Sequence, residues 1–530
     1  MIHSAFANGE RTLSHSVKNV GRGTSSQASV RIGSVRILAP RQRVMRWHIS
    51  LAQALQANFN ARVDVALVDV NEWPKSLDLL ILLENLIHRI GNDGMSAKLS
   101  TKSVELAPHL NPLDAPPDVL IDTTGEYEGG GRVIRILYDG IAGEAALATV
   151  LLESGPPVVS IVDSESGNIV ATGRPGVEDG RSLATAMDDV LVRTRDIVIA
   201  SLRGFCRTGT ATVKPHRRPT ARLVTRRLIR TLPQLVAHRL YRMCCYAPHW
   251  RVGWRNVNDR DVLDLLEHPQ SGWNILPDDG LRFYADPFPI LHRGTPYVFV
   301  EEYEHRKGKG IISATKFGIS GPMGTPQPVL ERPYHLSYPF VFEHRGEMMM
   351  IPETCNADTI ELYRATRFPG GWVHETTLLE GLVAGDATLH YDGERWWLFA
   401  SVRGPAGSYS DALHLWYASD PLGPWIEHAA NPVIVDVACA RPAGRMALRD
   451  GRLIRPVQDC SVRYGGSLAL AEVTELTPDR YSQRIIARLE PGPLWPGRRL
   501  HTLNRAGSLE VIDGSSLAPK WRPARYLIRN

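Results

Sequence analysis

Two hydrophobic patterns divide the chain. From about Ser29 to Gly204, short continuous apolar runs are followed by segments with helical spacing. SVRILAP, from Ser34, reads as a buried strand, and Trp47, Ile49, Leu51 and Leu55 then recur at helical intervals. ARVDVALVDV and DVLIDTTG predict further strands, and LDLLILLENLIHRI and SLATAMDDVLVRTRDIVIASL further helices. Strands alternating with helices predict a Rossmann-like α/β domain over 29–204 with a mainly parallel sheet. Past residue 263 a different pattern takes over. DPFPILHRGTPYVFVEEY from Asp286, YPFVFEHRGEMMMIPETC from Tyr338, DATLHYDGERWWLFASVR from Asp386 and AGRMALRDGRLIRPVQDC from Ala443 share one plan. Each is an apolar strand, a turn with Gly294, Gly346, Gly393 or Gly451, and a second apolar strand. The spacing is roughly fifty residues, a period typical of repeat folds. LYRATRFPGGW from Leu362 matches LWYASDPLGPW from Leu415 and adds outer strands, and a fifth unit begins near His501. Four short strands in five repeats predict an all-β five-bladed propeller over 263–530.

Charge and composition fill in the remainder. Residues 1–28 are polar, rich in Ser and Gly, and lack the apolar core of a secretory signal, so they read as a disordered lead-in. Residues 205–262 read as a basic helical connector. Arg203 to Arg255 holds 13 Lys or Arg and no acid, whereas the rest of the chain carries 48 basic against 56 acidic residues. Leu223, Leu228, Leu232, Leu235 and Leu240 share a helical face, with Arg226, Arg227, Arg230 and Arg239 elsewhere. Such a helix can lie on an anionic membrane surface or pack on its own acidic domains, and both readings stay open. Aromatic residues for base stacking are scarce here, so no nucleic acid partner is expected. The six cysteines form no CxxC pair and no His cluster completes a zinc pattern, so no metal is expected. With no GxGxxG after the first strand and no P-loop, no cofactor is expected either. A reduced, cytoplasmic setting fits, peripheral to the inner membrane if the helix docks there.

The repeat turns isolated polar residues into a candidate site. The first strand of each propeller blade lines the axis, so the residues that open it converge on one mouth. Here these are Asp286, Tyr338, Asp386, Arg441, His501 and Asn504, with His335 nearby. The second strand runs back antiparallel and returns its end to the same mouth, bringing Glu301 and Glu302, Glu353, Ser401, and Gln458 with Asp459; of the first pair Glu302 is the candidate. Any one of these has a plain structural use; Asp286-Pro287 alone reads as an Asx-turn. Their joint placement points to function, because crowded carboxylates cost free energy unless function or cations offset it.

FYADPF and ASDPLGPWIEHAANPV resemble the five-bladed propellers of glycoside hydrolase families 32, 43, 62 and 68. More closely, FYADPFPI, YHLSYPFVFEHRGEMMMIPET, GDATLHYDGERWWLF and RPAGRMALRDGRLIRPVQDCSVRYG resemble the N-terminal propeller of plant glucosamine inositolphosphorylceramide transferases and bacterial relatives. The resemblance covers about 273–514. It implies that Asp286 stands where the hydrolases have a base or nucleophile, and Asp386 where they have a pKa-tuning or substrate-holding Asp. Their acid Glu opens a later blade, where this sequence has none; Glu353 is the nearest substitute and Glu302 the second. The leading expectation is a carbohydrate-active protein whose mouth acts on or binds a glycan or glycoconjugate. In it Asp286 activates water or an acceptor, Glu353 protonates the leaving oxygen and Asp386 orients hydroxyls. The alternatives are glycan or glycolipid assembly at the inner membrane, and a noncatalytic sugar-binding scaffold.

Overall fold

The apolar runs of the first domain become neighbouring strands. In the computed structural model, Ser34–Pro40 lies between Arg62–Val68 and Val119–Asp122, and Val133–Tyr138 follows, all parallel. Val159–Asp163 and Asn168–Gly173 continue the sheet antiparallel. The sheet is thus parallel over its first four strands and turns antiparallel beyond them. Helix Leu183–Leu202 buries Met187, Val190, Leu191 and Val198, and the Ser182 hydroxyl caps it by accepting from the Ala184 amide. The structure describes residues 32–70, 73–204, 209–210, 213–215, 219–404, 406–495 and 497–520. The predicted lead-in, 1–28, lies outside the described residues.

The chain divides into two units, one holding Ser26–Val236 with the loop Gly404–Asp411, the other Ala237–Arg403 with Ala412 onward. Within the first unit, the buried Arg193 pairs with Asp411 at 2.8 Å. The polar turn after Val119–Asp122 is satisfied by itself. One Asp122 oxygen accepts from the amides of Thr124 and Gly125 and from the Thr124 hydroxyl. The connector does form a helix, Ala221–Cys244. Its Arg227 donates to Glu84 Oε1 at 2.8 Å and to the Gly180 carbonyl. Glu84 is buried and also accepts from the Leu183 amide at 2.7 Å. Arg227 is therefore committed to its own unit, because a buried carboxylate needs a cation more than a wet surface does. Arg226, Arg230 and Arg239 are exposed. No helix among the described residues is long and apolar enough to cross a membrane.

The second unit is the propeller. Its inner strands are Arg282–His292, Ser337–His344, Val383–Tyr391, Ala447–Arg449 and Thr502–Ala506. Each pairs antiparallel with the next strand: Thr295–Glu304, Glu347–Glu353, Trp396–Arg403, Arg452–Asp459 and Leu509–Ser515. The fifth blade closes the ring with strands from earlier in the chain. Trp250–Asn256 pairs with Leu509–Ser515, and Asn274–Ile275 pairs with Trp250–Asn256. Trp250–Asn256 falls inside the stretch read from sequence as a connector. Large apolar side chains fill the spaces between blades, among them Phe288, Tyr338, Phe340 and Leu398 in one cluster. Burial at roughly 25 cal/mol per Å² of apolar surface is the main force holding the blades together.

Candidate functional site

Three inner strands break register at the same place. Shifts fall between Ala285 and Phe288, Ser337 and Phe340, and Gly385 and Thr388. The first residue of each bulge has left-handed backbone: Asp286 at φ 48°, Tyr338 at φ 43° and Asp386 at φ 56°. Such a conformation costs a non-glycine residue on the order of 1 kcal/mol or more, and here it recurs blade after blade. Asp286 is thus a strand bulge residue, not the turn residue its Asp-Pro sequence suggests alone. In the fourth blade Gly444 has φ 136°, and a Cβ there would lie 2.1 Å from the Leu503 carbonyl oxygen.

The register also says which returning residues are equivalent. Glu301 faces Ala285, Glu353 faces Ser337, Ser401 faces Gly385 and Asp513 faces Thr502. Two of these positions, Asp513 and Glu353, supply acceptors to the bulges. The Asp286 amide donates to Asp513 Oδ2 at 2.8 Å, and the Asp386 amide to Glu353 Oε2 at 3.2 Å. The Tyr338 amide donates to Asp286 Oδ2 at 3.2 Å. Carboxylate and bulge therefore fix one another from blade to blade.

Two cations sit among the acids. Arg441 donates through Nε to Asp386 Oδ2 at 2.5 Å, and its Nη2 lies 3.4 Å from Glu353 Oε2. Gln458 donates to the same Asp386 oxygen at 2.7 Å. Tyr464 covers the guanidinium, its ring centroid 5.0 Å away. His501 holds Asp513 through Nδ1 at 2.6 Å and turns Nε2 toward Asp286 Oδ1 at 3.4 Å. Trp250 stacks on the His501 ring at 4.0 Å. The Cys355 thiol donates to Glu353 Oε1 at 3.2 Å.

The charges do not balance. Asp286, Glu301, Glu353, Asp386 and Asp513 are all buried, against Arg441 and His501. Burial raises Asp286 to about 8, with Asp513, Asp386 and Glu353 adding to the push and His501 opposing it. Burial raises Glu301 well above the usual range, reinforced by Asp286 and Glu353. Asp386 rises only to about 6, since burial is opposed by Arg441. Burial would lower the His501 imidazole, but Asp513 and Asp286 outweigh it and hold it above its ordinary value. Burial and mutual repulsion thus favour the protonated forms of Asp286 and Glu301, while an ion pair is kept at Arg441. Asp286, His501 and Asp513 also offer ligand atoms within 4.8 Å of one another, a set that could hold a cation. The sequence reading named no such set, because its members come from the two ends of the propeller.

The residues expected at the mouth divide into two groups. Asp286, Tyr338, Glu353, Asp386, Arg441, Gln458 and His501 are brought together. His335 lies beside them, buried, with Nε2 3.4 Å from Glu301 Oε1 and Nδ1 accepting from the Gly310 amide. Burial lowers its pKa to about 4, so it is neutral. Glu302 is elsewhere: it bonds Arg282 at 2.5 Å and the Ser313 hydroxyl at 2.7 Å. Asp459 bonds Arg488 and Ser461. Strand alternation is the reason, since neighbours point to opposite faces and only Glu301 and Gln458 face inward. Asn504 is a backbone brace, accepting from the Arg445 amide and donating to the Pro287 carbonyl. The sequence placed both Glu301 and Glu302 at the mouth, but Glu302 was the wrong choice of the two, and Asp513, Trp250 and Tyr464 were missed as site residues. Matching Glu353's place in its hairpin to the other blades selects Glu301 over Glu302 and finds Asp513.

Residues 278–512 match the family profile described as glucosamine inositolphosphorylceramide transferase 1, N-terminal. Proteins of that name from Oryza sativa subsp. japonica and Arabidopsis thaliana are 34% and 33% identical over 247 and 279 residues. The matches cover 44% and 49% of this chain and 33% and 36% of those proteins, so the chain spans about a third of their length. Among solved structures, a family 117 glycoside hydrolase from Zobellia galactanivorans aligns at TM-score 0.34 and 13% identity. That alignment covers 53% of this chain and 98% of that one. A family 62 α-L-arabinofuranosidase catalytic domain from Coprinopsis cinerea aligns at TM-score 0.34 and 14% identity, covering 49% and 85%. The second unit of this chain is a five-bladed β-propeller homologous to the N-terminal domain of glucosamine inositolphosphorylceramide transferase 1.

Proposed function

We propose that the acidic mouth of the propeller binds a glycan or glycoconjugate and acts on a glycosidic bond. The observation that carries this reading is the buried excess of carboxyl groups, five against the two cations Arg441 and His501. Such crowding weakens a fold, and paired acids of unlike pKa are what glycosidic chemistry requires. The proton-holding groups, Asp286 and Glu301, are the donors to the leaving oxygen. Glu353 is the acceptor that draws the proton from water or a sugar hydroxyl. Asp386, fixed by Arg441 and Gln458, orients substrate hydroxyls. Asp286 and Glu353 thus exchange the roles expected from sequence, because burial favours the neutral form of Asp286. The test is a panel of furanosides, pyranosides and glycolipids with Asp286→Asn, Glu301→Gln and Glu353→Gln proteins. Turnover should fall at least about a hundredfold in Asp286→Asn and Glu353→Gln while sugar binding persists. Activity that survives both changes does not arise at this mouth.

A second reading, assembly of a glycolipid, is favoured by the name of the plant relatives, which are transferases. In it the same mouth holds the acceptor, and exposed Arg226, Arg230 and Arg239 meet anionic lipid. Sedimentation with vesicles containing phosphatidylserine tests it; equal binding by the Arg226→Glu, Arg230→Glu double variant counts against it.

A further inference from the structure

The inner strands have another end. From one to four residues past the bulge positions, all five blades contribute to a cavity of 360 Å³. Ile290, Phe340, Leu389, Arg445 and Arg505 line it, one from each blade in turn, and Trp396 forms part of the wall. Its chemistry is the reverse of the acidic mouth. Arg445 stands 4.6 Å from the centre of the Phe340 ring and donates through Nη2 to the Val341 carbonyl. No carboxylate of the described residues pairs with it. Arg505, in the same cavity, differs in this respect, bonding Asp261 at 2.8 Å. Burial pulls Arg445 down to about 10, with Tyr338 the opposing influence. A guanidinium partly withdrawn from water without a counter-ion is costly, and its fork matches the paired oxygens of a phosphate or carboxylate. The aromatic and aliphatic walls suit a ring or short apolar body.

We propose that this far end of the propeller axis is a second ligand site, which takes a small organic anion with its phosphate or carboxylate on Arg445 and its ring against Phe340, Leu389 and Trp396. The site is independent of the acidic mouth, so its failure leaves the glycosidic reading untouched. Calorimetric titration of the full chain at fixed ionic strength tests it, with phenyl phosphate, benzoate and neutral phenol as probes. One or both anions should bind saturably and phenol should not; the better anion identifies the headgroup. Arg445→Met should weaken that binding at least tenfold. Glu343 is exposed at the rim, so Glu343→Gln leaves the fold alone and should tighten anion binding about two- to fivefold. The proposal is overturned if neither anion saturates by about 10 mM, if phenol binds as well as they do, or if the affinity ignores Glu343→Gln.

Discussion

Asp286→Asn isolates the electrostatic cost of the acidic mouth. Asp286 is buried and its pKa rises from 3.8 to about 8, chiefly through burial, with Asp513, Asp386 and Glu353 adding to it. The folded chain therefore holds a proton that the unfolded chain releases above about pH 4. By linkage, this group's contribution makes stability fall as pH rises from about 4 to about 8 and then level off. At about 1.4 kcal/mol per pH unit, the whole gap sets a ceiling near 6 kcal/mol. Glu301 shares the same field, so part of the burden passes to it, and an effect of about 2–3 kcal/mol is expected. Asn cannot ionise, yet its oxygen can still accept from the Tyr338 amide. Urea unfolding at a series of pH values from 5 to 8.5 is the assay. The wild type should lose stability across this range, and Asp286→Asn should lose about 2–3 kcal/mol less. Parallel curves for the two proteins would refute the reasoning, as would a wild type that gains stability relative to the variant.

Arg441→Met leaves Asp386 and Glu353 buried without their cation, and a loss of about 3–5 kcal/mol in urea unfolding is expected. Gly385→Ala places a Cβ 2.9 Å from Glu353 Oε2 and 3.3 Å from Arg441 Nη2. It should cost about 1–3 kcal/mol and reduce glycan affinity, measured by titration, by more than the stability loss accounts for. Glu301→Gln should alter glycan binding or turnover; Glu302→Gln, on the opposite face beside Arg282, should lower the melting temperature and leave glycan affinity alone. In the α/β unit, Arg227→Ala strands the buried Glu84 and should destabilise by about 3 kcal/mol, whereas exposed Arg226→Ala should stay within about 0.5 kcal/mol by the same unfolding assay.

Much of this molecule is legible along the chain because its information is local. The helical spacing of Trp47, Ile49, Leu51 and Leu55 marks the helix Arg46–Phe59. The Gly turns at Gly294, Gly346, Gly393 and Gly451 mark the hairpins of four blades, since each repeat obeys the same period-two pattern. The repeat likewise brings Asp286, Glu353 and Asp386 to one mouth before any coordinates are known. Other features depend on register and distance. Whether Glu301 or Glu302 faces inward turns on a one-residue shift, and the bulges at Asp286, Tyr338 and Asp386 make that shift. Trp250–Asn256 joins the fifth blade through hydrogen bonds to a strand more than two hundred residues away, which no local pattern announces. Asp286 has its pKa raised by the loss of water around it and then by acidic neighbours from other blades. Side-chain sequence determined which carboxylates were available. Only the closed ring of blades decided which would be buried together, because desolvation and Coulomb repulsion depend on distance in space and not on order along the chain.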